Sequence, residues 1–212
     1  MKKITTFLLA LTFCLLSIAQ APAVIKLKAP DLNSGKLLMQ ALKERKSSSG
    51  FTDKEIPLQE LSNLLWAAFG VNRPENGKRT APSGSNRQEI EIYTISKQAI
   101  YHYNAPKHEL ELIANGDYRN LSGHGKVAEA ALNLLFIADT EKTGPGIDSS
   151  KANIVSYINV GYISQNIYLY CASAGIGTRA RGGWDQAKLT EIMKLKSTMI
   201  IVLGQTVGYV KE

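Results

Sequence analysis

A chain of 212 residues that is 44% hydrophobic and 20% charged carries enough apolar content for one packed domain, which excludes a disordered tail and a bundle of membrane helices. Its formal net charge of +7 comes without a concentrated Lys/Arg stripe. That balance excludes a dedicated nucleic-acid binder and fits a bound phosphate or other acidic ligand.

Lys2 and Lys3 precede an apolar run from Phe7 to Ile18 and the small-x-small sequence Ala19-Gln20-Ala21. The run is too short to span a bilayer, so residues 1–21 read as a secretory signal peptide and the chain is expected to be exported to the periplasm or the cell exterior, without stable membrane insertion. Cleavage also removes Cys14 and leaves Cys171 alone, so no intrachain disulfide can form and no Cys/His cluster with metal spacing exists. Residues 22–32 read as a tether before a domain spanning 33–212.

Asn33 caps a predicted helix with Leu37, Leu38, Ala41, Leu42 and Arg45 on one face, ending in the polar run Lys46 to Gly50. Pro57 opens a second helix that buries Leu58, Leu61, Leu64, Leu65 and Ala68 and stops at Gly70. After a turn-rich stretch from Asn72 to Asn86, period-2 alternation predicts strands over Glu89–Ile95 and Ala99–Tyr103. The stretch Ala131–Ile137 is apolar enough for a central strand, and Ser197–Gly204, dominated by Met199 to Leu203, predicts another. Between them, Ala152 to Thr178 holds no charged residue but is punctuated by Asn and Gln, which predicts a buried helix.

The sequence has no nucleophile elbow, no phosphate-binding loop ending in Gly-Lys-Ser/Thr and no paired His ligands, so hydrolase and kinase readings lose support. His102, His108 and His124 read as ordinary histidines near turns and strands, and no catalytic side chain is identified. Basic and hydroxyl residues at element ends remain, which is equipment for holding a phosphorylated cofactor that brings its own reactivity. They form four groups: Arg45-Lys46-Ser47, Arg79 to Gln88, the Gly161 to Gly183 stretch, and Gly204 to Lys211.

In this order the groups resemble the nitroreductase family of FMN-dependent oxidoreductases, particularly its SagB-type dehydrogenase branch. The likeness rests on Arg45-x-Ser47, on Ala81-Pro82-Ser83-Gly84-x-Asn86 with Gln88 behind it, on Gly161-x-x-x-Gln165-Asn166 running into Gly175-Ile176-Gly177, and on Leu203-Gly204-Gln205 to Gly208-Tyr209. The resemblance implies an α+β fold, a mixed and largely antiparallel sheet flanked by helices, in a homodimer with one FMN per subunit at the interface. It further implies hydride transfer through flavin N5 from a small-molecule electron donor to an electron-poor acceptor such as a nitroaromatic or a quinone. Arg45 and Ser47 would hold the phosphate and ribityl chain, and Lys46 the polar edge of the ring. Pro82, Ser83 and Gly84 would lie against the ring, with a backbone N–H near flavin N5, and Asn86 would hold the pyrimidine side. Gln165 belongs to the same expected site, Arg181, Gly182 and Gly183 would form a loop against the flavin, and Lys211 would return to the phosphate. Ser49 stands where many relatives have a second cation, and the tail stops at Glu212. Both departures predict modest FMN affinity. The other class of function open at this point is an exported flavin- or ligand-binding module that has lost turnover.

Overall fold

The computed structural model describes residues 20–143 and 149–211, so residues 1–19 of the predicted signal peptide lie outside the described residues. In chain order the elements are β1 (Val24–Lys26), α1 (Leu38–Glu44), α2 (Leu58–Phe69), β2 (Val71–Arg73), β3 (Lys78–Arg79), β4 (Ile90–Ile95), β5 (Ala99–Asn104), β6 (Glu109–Asn115), β7 (Leu132–Asp139), α3 (Ser149–Ala174), β8 (Gly177–Arg181), α4 (Gln186–Met193) and β9 (Met199–Gly208). Seven strands form one sheet in the order β1-β6-β5-β4-β7-β9-β8, and β2 pairs with β3 in a separate hairpin. Every neighbouring pair in the large sheet is antiparallel, so the expected parallel component is absent among the described strands.

Alternation explains the layers. Leu134 and Phe136 of β7 face the cluster that includes Leu64, Leu65 and Ala68 of α2 and Ile163 and Ile167 of α3, while Leu135 and Ile137 face Leu189 and Met193 of α4. A strand covered on both faces has no solvent side to keep polar, which is why β7 is apolar from Leu134 to Ala138. Pro57 stands at the N-cap of α2, and Gly70 ends that helix by donating its N–H to the Trp66 carbonyl at 2.8 Å. A Cβ on Gly70 would come within 2.5 Å of the Trp66 ring, so the tight exit demands glycine.

Three features differ from the sequence reading. The stretch read as a tether contains β1, which pairs with β6, and Ala21 before it donates its N–H to Asn115 Oδ1 at 3.0 Å. The first helix starts later and buries only Ala41; Leu37, Leu38, Met39 and Leu42 stand exposed. The uncharged segment leaves its helix at Ala174 and continues into β8. Along α3, Ala152, Val160, Ile163, Ile167 and Cys171 are buried, whereas Ile154, Tyr157, Ile158 and Tyr162 are 47–58% exposed. The two sets lie on opposite faces, so α3 is apolar all round with only one face covered. No described helix is long and apolar enough to cross a membrane.

Candidate functional site

Arg45, Lys46 and Ser47 leave the end of α1 as an extended segment pinned at its far end. Ser48 donates its N–H to the Thr178 carbonyl and Lys211 donates its N–H to the Gly50 carbonyl, each at 2.9 Å, and Phe51 bridges to Val210. Tyr168 of α3 binds the segment from below: its hydroxyl lies 2.9 Å from Ser47 Oγ and accepts the Ala180 N–H at 2.9 Å, and the Arg45 guanidinium stands 5.4 Å from its ring centroid. Neither Arg45 nor Lys46 has a carboxylate within ion-pair distance among the described residues, and the adjacent Glu44 is bonded to Lys36. Unneutralised cations beside an exposed hydroxyl form a donor set that fits a phosphate.

The second group is a loop that follows β3. Pro82 and Gly84 are exposed, Ser83 turns its Oγ back to accept the Gln88 N–H at 3.0 Å, and Ser85, Asn86 and Gln88 all adopt positive φ, between 51° and 54°. Left-handed backbone at three non-glycine residues is strained and persists only where neighbours enforce it. A Cβ on Gly84 would lie 3.4 Å from Val155 Cγ1, so this loop sits on the first half of α3. Its exit is tied down by Glu89, which is fully buried and accepts a 2.7 Å bond from Asn159 Nδ2. Sequence reasoning passed over Glu89 because a single acid before an alternating strand gives no sign of burial.

The remaining site residues fall at different places. Gln165 is exposed on α3, and Gly182 and Gly183 are exposed after β8. Lys211 is exposed, with its backbone beside Gly50. Arg181 turns inward: Nε donates to Thr206 Oγ1 at 3.0 Å, Nη2 to Asn133 Oδ1 at 3.0 Å, and Nη1 to the Ser122 carbonyl. Burial among neutral acceptors lowers its pKa to about 10. Arg181→Ala should therefore strand several buried acceptors and cost on the order of 3 kcal/mol in denaturant unfolding; an unchanged midpoint would remove this structural role. Asn159 and Asn166 also bond within the chain, Asn166 to the Ala67 carbonyl at 3.1 Å. Cys171 is buried, which pushes its thiol up and leaves it no nucleophile. A cleft of about 420 Å³ beside Pro22, Ile25, Ile56 and Tyr101 includes none of these groups.

An antiparallel sheet thus carries one long apolar helix, with cations collected at one end of that helix and a strained loop at the other. The Nitroreductase family model matches residues 42–209, and the chain belongs to the nitroreductase family. It is similar to a nitroreductase-like protein from Ralstonia eutropha of known crystal structure, at 37% identity and a TM-score of 0.84, covering 90% of this chain and 91% of that one. A nitroreductase homologue from Methanocaldococcus jannaschii is 28% identical over 195 residues, which is 84% of this chain and 94% of the relative. A chain of the E. coli microcin synthetase McbBCD complex shares the fold at a TM-score of 0.70 and 21% identity, covering 98% of this chain and 85% of that one. Family membership makes oxidoreduction the class of its chemistry.

Proposed function

We propose that the protein is an exported, homodimeric, FMN-dependent oxidoreductase that passes a hydride to an electron-poor small molecule such as a nitroaromatic or a quinone. One observation carries this reading. The cation-rich half-site rests on Tyr168 and the loop half-site on Val155, thirteen residues apart on α3, or roughly 20 Å at 1.5 Å per residue. Along this part of the helix runs an exposed stripe, Ile154, Tyr157, Ile158, Gly161, Tyr162 and Gln165. Its spacing of i, i+3, i+4, i+7, i+8 and i+11 is that of one helix face. Two copies crossing antiparallel at Gly161, where nothing lies within 4 Å of an added Cβ, would bring the Tyr168 half of one chain against the Val155 half of the other. The exposed Leu38, Met39 and Leu42 of α1 extend the surface that such a crossing would cover.

Within that site Arg45 and Ser47 would hold the phosphate, Lys46 and Lys211 would add charge, and Pro82, Ser83 and Gly84 would press backbone against the ring. The bound flavin would supply two-electron hydride chemistry at N5, and the chain's part is to bind, orient and exclude water. A bulky side chain at the loop tip would come between ring and backbone. Gly84→Val should accordingly lower flavin occupancy several-fold, while the melting temperature of the flavin-free protein stays unchanged because the residue is exposed. Equal occupancy in the two proteins would move the loop away from the ring.

The reading is tested by the visible absorbance of the purified protein and by FMN titration. A flavin spectrum that bleaches with reductant and returns on adding a nitroaromatic or a quinone is expected. Protein that takes up no FMN would overturn the assignment, and a bound flavin that no acceptor reoxidises would identify a binding module instead.

A further inference from the structure

Behind the exposed loop lies a chain of side-chain hydrogen bonds whose direction is fixed at its source. Arg79 stacks its guanidinium 5.1 Å from the Phe69 ring centroid, donates Nη1 to the Phe69 carbonyl at 3.2 Å, and has no carboxylate partner among the described residues. Its Nε lies 2.8 Å from Gln88 Oε1. A guanidinium only donates, so the atom facing it must be the amide oxygen. The other end of the same amide faces the Gly77 carbonyl at 3.0 Å, an atom that only accepts, so Nε2 must stand there. Two independent neighbours thus leave Gln88 a single orientation. The second Nε2 hydrogen reaches Asn86 at 3.1 Å and requires an acceptor, which places Oδ1 inward. Asn86 Nδ2 then has no hydrogen-bond partner among the described residues, and its side chain is exposed at the loop tip.

We infer that Arg79, acting through Gln88, fixes Asn86 as a donor toward the bound ligand, so that the loop selects an acceptor atom and holds it more tightly when that atom gains negative charge. The inference rests on the flavin reading above. On the pyrimidine edge of a flavin the acceptors are the two carbonyl oxygens and N1, whereas N3–H is a donor. Asn86 would therefore meet a carbonyl or N1 and leave N3–H to others. Two-electron reduction places negative charge on the N1–C2 carbonyl unit, and bonds to charged acceptors are about twice as strong as neutral ones. Arg79 and Gln88 are thus positioning residues that bias the reduction potential without touching the ring.

Gln88→Glu tests the chain of bonds, because a carboxylate accepts from Arg79 but cannot donate to Asn86. Asn86 should then turn its amide inward and its oxygen outward. In the flavin-free protein the Asn86 side-chain NH₂ signal, assigned by ¹⁵N NMR, should pass from rapid solvent exchange to protection. In the FMN-loaded protein the affinity for reduced relative to oxidised FMN should fall about 10-fold, a drop of about 30 mV in midpoint potential. Arg79→Met, which keeps an apolar stem over Phe69, should move the potential in the same direction by a smaller step. The added charge of Gln88→Glu is controlled by repeating it in an Asn86→Ala background, where the substitution should shift the potential no further. A shift that persists there would be a field effect and would overturn the inference, as would an unchanged Asn86 exchange rate. If the amide turns as expected while wild-type protein binds no FMN, the bond polarity stands and the flavin reading falls.

Discussion

Ile158→Asp should convert the protein to a monomer that retains its fold and loses its flavin. Ile158 is 52% exposed and lies midway along the uncovered stripe of α3, so a carboxylate there remains hydrated in the separated chain and costs little. In a paired helix face the same charge would be desolvated without a partner, at a penalty of several kcal/mol, enough to shift dissociation by two or more orders of magnitude. Light scattering with flavin absorbance checks both consequences at once, and circular dichroism verifies that the helix survives. Ile163→Asp and Ile167→Asp behave differently. Both side chains are fully buried within one subunit, so an acid at either site should unfold the chain itself. A dimeric, flavin-loaded Ile158→Asp protein would refute the shared interface.

Arg45→Ala should weaken FMN by about 10- to 100-fold, because a charge-assisted bond to phosphate contributes about 1.5–3 kcal/mol, and should leave riboflavin nearly unaffected. The side chain has no ion-pair partner among the described residues: Glu44 is engaged by Lys36, and the guanidinium stands over the face of Tyr168. Quenching of flavin fluorescence during titration gives both constants. Equal losses for FMN and riboflavin would take Arg45 away from the phosphate.

Much of the fold was legible because its periodicities were strong. The helix opened by Pro57, the strands β4, β5, β7 and β9, and the uncharged α3 all announce themselves by apolar spacing. β1 and β8 did not, since an edge strand of three or five residues buries little and need not alternate. α4 is capped by Asp185, whose side chain accepts the Lys188 N–H, but eight residues around Leu189 and Met193 are too few for a clear pattern. β6 did alternate through Glu109-Leu110-Glu111-Leu112, and was obscured by Pro106 just before it.

For the candidate site, the motif order was readable but its division was not. A linear sequence cannot show that Ser47 and Gly84 occupy opposite ends of one helix, nor which face of α3 is left uncovered. Arg181 illustrates what contacts distant in sequence add. An arginine beside two glycines reads as a ligand-facing loop, yet its donors are spent on Ser122, Asn133 and Thr206, contacts made by strands and loops distant in sequence.

The place of β1 has a consequence for biogenesis. It caps the outer edge of β6, and the Lys26–Glu109 contact that fastens it spans 83 residues of sequence. A chain synthesised N-terminus first must hold those opening residues in reserve until the sixth strand arrives. Until β1 then docks, the backbone N–H and carbonyl groups along β6 offer a template to any passing strand. Aggregation of slow-folding or truncated forms should therefore begin at this edge, and additions close to Ala21 should influence solubility more than additions near Lys211.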